Sequence, residues 1–134
     1  MKTLALLVVA LALAGCATHT RLGSGVPFDH ERPRVFVLDG KFIAVDQEPV
    51  YIMRKDATIV WQLPADQKLT FARDGIVISG EQAKDFNCKL GEGARTYSCQ
   101  LVFPRSRAIY KYTIKVDLDG KPLKPLDPSM ISTF

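Results

Sequence analysis

A pair of apolar arms around a glycine-rich bend, between Asp85 and Phe103, constrains the fold more than any other stretch. The alternating apolar residues of the two arms are Phe86, Cys88 and Leu90, then Tyr97, Cys99, Leu101 and Phe103. Gly91-Glu92-Gly93 supplies the bend between them. If Cys88 faces Cys99, then Leu90 faces Tyr97 and Phe86 faces Leu101, so the cysteine pairing and the apolar register agree. The stretch is therefore predicted to be an antiparallel hairpin.

Short β-rich runs separated by turn residues fill most of the remaining chain after Arg34. Two of them flank Asp39-Gly40, which is a strong hairpin signal. The run 58–63 alternates, which predicts a core containing Ile59, Trp61 and Leu63. The apolar run 76–78 is predicted to be buried on both sides.

The run 110–117 is the cleanest strand, with one apolar and one polar face. Its apolar residues are Tyr110, Tyr112, Ile114 and Val116, and lysine, threonine and aspartate alternate with them. Ser79 and Gln82 fit the start of the only plausible helix, of one or two turns. About eight short strands with almost no helix predict an all-β protein, specifically a small antiparallel β-sandwich.

The amino terminus is typical of a secretory signal. Lys2 precedes a ten-residue apolar run, Leu4 to Leu13, and small residues follow. The run has about half of the roughly 20 residues that a membrane-spanning helix needs. A second alternative is the cleavable signal of an ordinary secreted protein. Residues 13–15 fit the small-x-small cleavage site of such a signal less well.

Leu13-Ala14-Gly15-Cys16 resembles the lipobox of bacterial lipoproteins. The resemblance implies cleavage before Cys16, a diacylglyceryl thioether on its sulfur and acylation, with palmitate for example, of its new amino group. Ala17 takes the position where aspartate commonly retains Gram-negative lipoproteins in the inner membrane. The resemblance thus implies an outer-membrane anchor with the protein facing the periplasm.

Three segments follow from this interpretation. Residues 1–15 form the signal peptide, residues 16–33 a lipidated tether rich in glycine and proline, and residues 34–134 the β-sandwich domain. The formal net charge is +4, and removing Lys2 with the signal leaves 17 basic and 14 acidic residues, or +3. So small an excess does not argue for nucleic acid as a partner.

Cys88 and Cys99 remain once Cys16 carries lipid. Export places them in an oxidising space, where a disulfide is expected, and a metal pair or free thiols are the alternatives. Two cysteines without a nearby histidine or third cysteine make a poor zinc site. Their spacing also differs from the Cys-x-x-Cys of redox catalysts.

No catalytic set emerges from the sequence, and we expect a protein that is not an enzyme. Both histidines, His19 and His30, lie in the predicted tether, so the body offers no base to activate a serine. Three acidic residues cluster near predicted loops and are interpreted as turn and helix-surface charges: Asp74, Glu81 and Asp85.

The 58–61 strand, Phe71, Ile76 and the 110–116 strand are loosely similar to cupredoxin-like domains. An immunoglobulin-like topology fits the same strands. Cupredoxins bind copper through two histidines, a cysteine and usually a methionine. The body lacks histidine, so the resemblance implies a copper-free version, with no metal site and no cofactor beyond the lipid on Cys16.

The expected function is that of a non-catalytic, membrane-anchored lipoprotein that binds another envelope component, a protein or a cell-wall polymer, or acts as an accessory subunit. A basic strip of Arg105, Arg107, Lys111 and Lys115 is the predicted binding surface; a solvated surface is the alternative. A cupredoxin-related metal or redox protein and an inhibitor or immunity protein for a periplasmic hydrolase are the other hypotheses.

Overall fold

The computed structural model describes residues 29–134. The predicted signal peptide, Cys16 and most of the predicted tether lie outside the described residues. The strands are β1 (Val35–Leu38), β2 (Phe42–Val45), β3 (Val50–Ile52), β4 (Thr58–Gln62), β5 (Leu69–Ile78), β6 (Phe86–Leu90), β7 (Thr96–Leu101), β8 (Ile109–Leu118), β9 (Lys121–Pro122) and β10 (Ser129–Ser132). Two short 3-10 helices, Gly80–Asp85 and Glu92–Ala94, complete the described elements.

The strands form a small all-β sandwich, which confirms the predicted fold class. One sheet has the order β3-β10-β8-β5, with β9 beside β8, and the other has the order β4-β7-β6. The β1–β2 hairpin forms a separate two-stranded ribbon. Most pairs are antiparallel, but β3 and β10 are parallel, with Tyr51 opposite Ile131.

Strand β8 is the central element of the five-stranded sheet. Its alternation places four side chains in the core, each no more than 1% exposed: Tyr110, Tyr112, Ile114 and Val116. Trp61 of β4 is fully buried and donates a hydrogen bond from its indole Nε1–H to the Tyr112 hydroxyl at 3.3 Å. This contact joins the two sheets, and the predicted core role of Ile59, Trp61 and Leu63 is confirmed.

The hairpin of β6 and β7 has the register expected from its cysteines. Cys88 pairs with Cys99, while Phe86 faces Leu101 and Leu90 faces Tyr97. The two cysteines form a disulfide. Phe103 is outside β7 and 63% exposed, because the chain leaves the sheet after Leu101.

Two predictions about the middle of the chain are wrong: that the run 76–78 is buried on both sides, and that Ser79 caps a helix. The runs 69–71 and 76–78 belong to one strand, β5, whose register against β8 shifts between Phe71 and Ile76. Val77 is 37% exposed since one face of this sheet is open to solvent. The predicted short helix is present as the 3-10 segment Gly80–Asp85, but the Ser79 side chain makes no capping hydrogen bond.

The end of the predicted tether is bound to the body. The Glu31 and Pro33 carbonyls accept hydrogen bonds from Val60 and Gln62 of β4, at 2.8 and 3.0 Å. Arg34 forms a parallel bridge with Gln62. These bonds cover the outer edge of β4, and so the folded unit already includes residues 29–33, before the predicted boundary at residue 34.

Candidate functional site: the outer face of the five-stranded sheet

The basic strip predicted from the sequence lies around β8. Arg105 and Arg107 are in the turn that precedes the strand, whereas Lys111 and Lys115 are on the strand's outer face. The two lysines are four residues apart, about 13 Å along an extended chain. The structure divides the four cations into two that are paired with carboxylates and two that are not.

Arg105 forms an ion pair with Asp85, whose side chain is 1% exposed. The Arg105 Nε–H donates to Asp85 Oδ2 at 2.5 Å, and the Nη2–H donates to Oδ1 at 3.1 Å. These hydrogen bonds, together with the charge of Asp85, raise the pKa of Arg105 above its usual value. The Asp85 carbonyl also accepts the N–H groups of Val102 and Phe103. The interpretation of Asp85 as a surface charge is therefore wrong, because it fixes the turn before β8.

Lys115 is also paired, with Asp74 in the irregular part of β5. Its Nζ lies 2.5 Å from Asp74 Oδ2. The hydrogen bond from Lys115 lowers the pKa of Asp74 below its usual value. Both partners are at least one-third exposed, so the pair neutralises charge without contributing much to stability. Arg107 and Lys111 form no ion pair with any described residue.

An apolar row crosses three strands beside these two cations. Ile131 of β10 lies opposite Tyr51 of β3 on one side and opposite Ile109 of β8 on the other. Directly opposed residues share a face, with Cβ atoms about 5 Å apart. Ile109 is 59% exposed and Tyr51 39%, and Met53, just beyond β3, is 58% exposed. We call Tyr51, Ile131 and Ile109 the apolar row.

The described chain begins next to this row. The His30 ring packs edge-on against Tyr51, with the ring centroids 5.8 Å apart. Arg54, two residues after β3, binds the Glu31 carboxylate at 2.7 Å. The interpretation that the folded body contains no histidine is therefore wrong. No local sequence pattern predicts this contact, because it joins a glycine- and proline-rich segment to a strand 21 residues later.

Shallow pockets lie elsewhere on the molecule. One of about 410 Å³ is lined by Lys84, Asp85, Phe103, Pro104 and Arg105, and it adjoins the buried ion pair. Another of about 470 Å³ lies beside β1, with Arg34, Phe36 and Asp46 in its wall. In the first pocket the Asp85 carboxylate is bound by Arg105. In the second, Arg34 and Asp46 form an ion pair at 2.8 Å. Among the described residues, neither pocket is lined by histidine or cysteine.

Within residues 29–134, no three histidine, cysteine or acidic side chains are grouped so that they could hold a metal ion. In the same part of the chain, no helix has the length and apolar character needed to cross a membrane. No protein-family model matches the chain, and no curated protein sequence matches it.

Proposed function

We propose that this protein is a non-catalytic lipoprotein of the bacterial cell envelope, anchored through Cys16 and acting as a partner-binding or accessory subunit. The observation that carries the proposal is Leu13-Ala14-Gly15-Cys16 at the end of a short apolar run. The fold is compatible with export, since the Cys88–Cys99 disulfide is of the kind that persists in oxidising compartments.

The accessory role is supported by the way charged and aromatic groups are used in the described body. Asp85 is bound by Arg105, Asp74 is bound by Lys115, and the phenols of Tyr110 and Tyr112 are buried in the core. These contacts give the groups structural roles. We therefore propose that the protein functions by binding a partner through its exposed surfaces and not through a catalytic centre.

The β1–β2 hairpin supplies one surface suited to a protein partner. Leu38 and Phe42 are directly opposite each other and are 50% and 60% exposed. Phe36 and Ala44 pair on the same outward face, next to them. Grouped exposed apolar side chains of this kind commonly mark protein-contact surfaces.

The experiment that tests the anchor compares the native chain with Cys16→Ala after metabolic labelling with a radioactive fatty acid and membrane fractionation. The native chain should carry label and sediment with membranes, and Cys16→Ala should carry none and keep its signal peptide. The Cys88→Ala/Cys99→Ala variant is the control, since it removes the other cysteines and should remain labelled. Label retained on Cys16→Ala would refute the anchor.

The position after the cysteine tests the proposed outer-membrane location. In a Gram-negative host, Ala17→Asp should move the labelled protein from the outer-membrane to the inner-membrane fraction on a sucrose gradient. Ala17→Ser is the matched control and should leave the distribution unchanged. An inner-membrane position for the native chain would contradict the outer-membrane proposal while leaving the lipid anchor intact.

A further inference from the structure

We propose that the apolar row, together with Met53 and Arg107, lies against the phospholipid surface in which the protein is anchored. This inference rests on the proposed lipidation of Cys16, and it adds an orientation of the body on the membrane. It also assigns a role to exposed side chains that neither the core nor the ion pairs use.

The row is built as a continuous surface. Tyr51, Ile131 and Ile109 belong to three neighbouring strands and are joined by direct register on both sides of β10. Their chain neighbours on β3 and β10 are buried, so the alternation fixes this face as the outward one. Because the strands hold the backbone, the side chains can meet a flat surface without ordering a loop.

The entry point of the chain favours the membrane as the occupant. Residues 29–31 lie beside β3, with His30 against Tyr51 and Glu31 bound to Arg54. Thirteen residues, 16–28, separate this point from the proposed anchor and include Cys16 itself. They can span at most about 45 Å even when fully extended. The anchor therefore raises the effective concentration of this end of the sandwich at the lipid surface.

The chemistry of the face fits a lipid headgroup region. Tyrosine is enriched at membrane interfaces, where its ring lies among apolar groups and its hydroxyl is hydrated. Ile109 shares the face of that ring by register and is exposed, and Met53, two residues after Tyr51, is exposed as well. Arg107 lies two residues before Ile109 and forms no ion pair with a described residue, so its charge is available to anionic lipid headgroups.

Acidic groups limit the contact to one end of the sheet. The Glu48 carboxylate accepts hydrogen bonds from Ser129, and Asp127 accepts one from Thr113, both further along the outer face. Lys111 lies directly opposite Ser129, the residue that Glu48 binds, and two residues after Ile109. The acids beside the row, Asp29, Glu31 and Asp56, are paired with Arg32 or Arg54. Glu48 and Asp127 form no ion pair with a described residue. An anionic membrane would therefore repel the Glu48 end more strongly, and the predicted orientation has the row and Arg107 towards the lipid.

Quenching of an introduced tryptophan by brominated phospholipid tests this orientation on the lipidated full chain. Ile109→Trp places an indole on the row, and Phe42→Trp places one on the hairpin, at a position of nearly equal exposure, 60% against 59%. Trp61 is fully buried, so the native chain supplies the background signal. Each protein is reconstituted in phosphatidylethanolamine and phosphatidylglycerol vesicles, with or without bromine on the acyl chains.

We expect the indole at position 109 to lose most of its emission in brominated vesicles, and the indole at position 42 to keep its emission. Met53→Trp, at a position 58% exposed and two residues after Tyr51, should behave like Ile109→Trp and replaces it if that variant folds poorly. Adding Arg107→Gln should weaken quenching at position 109. It should have no effect in vesicles of phosphatidylcholine alone, where the net anionic charge is absent.

Several outcomes would overturn the proposal. Equal quenching at positions 42 and 109 would mean that the body has no preferred orientation. If the indole at position 109 were not quenched and chemical crosslinking captured a dimer, the row would contact a second copy of the chain. Co-flotation of each protein with the vesicles reports the anchor separately, so loss of flotation would refute the proposed function, whereas flotation without quenching would refute only the orientation.

Discussion

The Arg105 guanidinium donates two hydrogen bonds to the Asp85 carboxylate, which is almost completely buried. Removing one partner of such a pair leaves an uncompensated charge away from water, and this is strongly destabilising. Arg105, which the sequence pattern assigns to a binding surface, is therefore a structural residue. The pair also separates Arg105 from Arg107, two residues later, which is paired with no described residue.

Replacing these two arginines should have different effects on folding. Arg105→Ala should lower the urea midpoint clearly, because Asp85 is left buried without its partner, and Arg107→Ala should leave the midpoint nearly unchanged. Chemical unfolding monitored by Trp61 fluorescence provides the measurement. The double variant Arg105→Met/Asp85→Leu should recover part of the loss, since no buried charge remains. Equal midpoints for the two single variants would contradict a structural role for Arg105.

The disulfide should stabilise the fold by restricting the unfolded chain. Cys88 and Cys99 are 11 residues apart, and closing a loop of that length is worth about 3 kcal/mol in loop-closure entropy. Dithiothreitol should lower the free energy of unfolding of the native chain by about this amount. The Cys88→Ala/Cys99→Ala variant is the control and should not respond to the reductant. An unchanged native midpoint after complete reduction would show that the bridge does not stabilise the fold.

The hydrogen bond between the two sheets can be tested by removing one hydroxyl. Tyr112→Phe keeps the ring but leaves the buried Trp61 indole N–H without its acceptor, at a cost of about 1–3 kcal/mol. Thr113→Val changes a neighbouring side chain on the outer face, where its hydroxyl bonds to the exposed Asp127, and should cost much less. If the two variants had the same stability, the indole–phenol bond would contribute nothing measurable.

Buried phenols should make the fold sensitive to alkali. Burial is the main cause that raises the pKa of Tyr97, Tyr110 and Tyr112 above the usual value. The unfolded chain loses these protons first as the pH rises past about 10, so the unfolded state gains stability relative to the folded one. Stability should be fully present below that pH and should decline above it.

Urea unfolding between about pH 9 and about pH 11 measures this decline. The free energy of unfolding should fall less steeply with pH for Tyr112→Phe than for the native chain, because one titrating group has been removed. A slope that is identical in both chains would mean that Tyr112 has the same pKa folded and unfolded.

Local patterns were sufficient to predict the elements whose partners are close in sequence. The β6–β7 register follows from the apolar alternation around Gly91-Glu92-Gly93, and it places Cys88 opposite Cys99. The core face of β8 follows in the same way from its strict alternation. In each case the side-chain period of two determines which residues turn inward.

Long-range contacts were the part that sequence patterns could not supply. The residues around Asp85 do not predict its ion pair with Arg105. The residues around Tyr51 do not predict its contacts with His30 and Ile131. The apolar row exists only because β10 lies between β3 and β8, with parallel pairing on one side and antiparallel pairing on the other. The sequence predicted a binding surface made of four cations, and two of these, Arg105 and Lys115, are already paired with carboxylates.

Intact-mass measurement of the membrane-extracted native protein tests the lipid anchor, on which the whole functional account depends. Loss of residues 1–15 leaves a 119-residue chain starting at Cys16, from 134 − 15. The account predicts the mass of this chain with one internal disulfide plus a diacylglyceryl group and an amide-linked acyl chain. Fragmentation should place all of the added mass on Cys16. A full-length chain, or a cleaved chain without added lipid, would contradict the account.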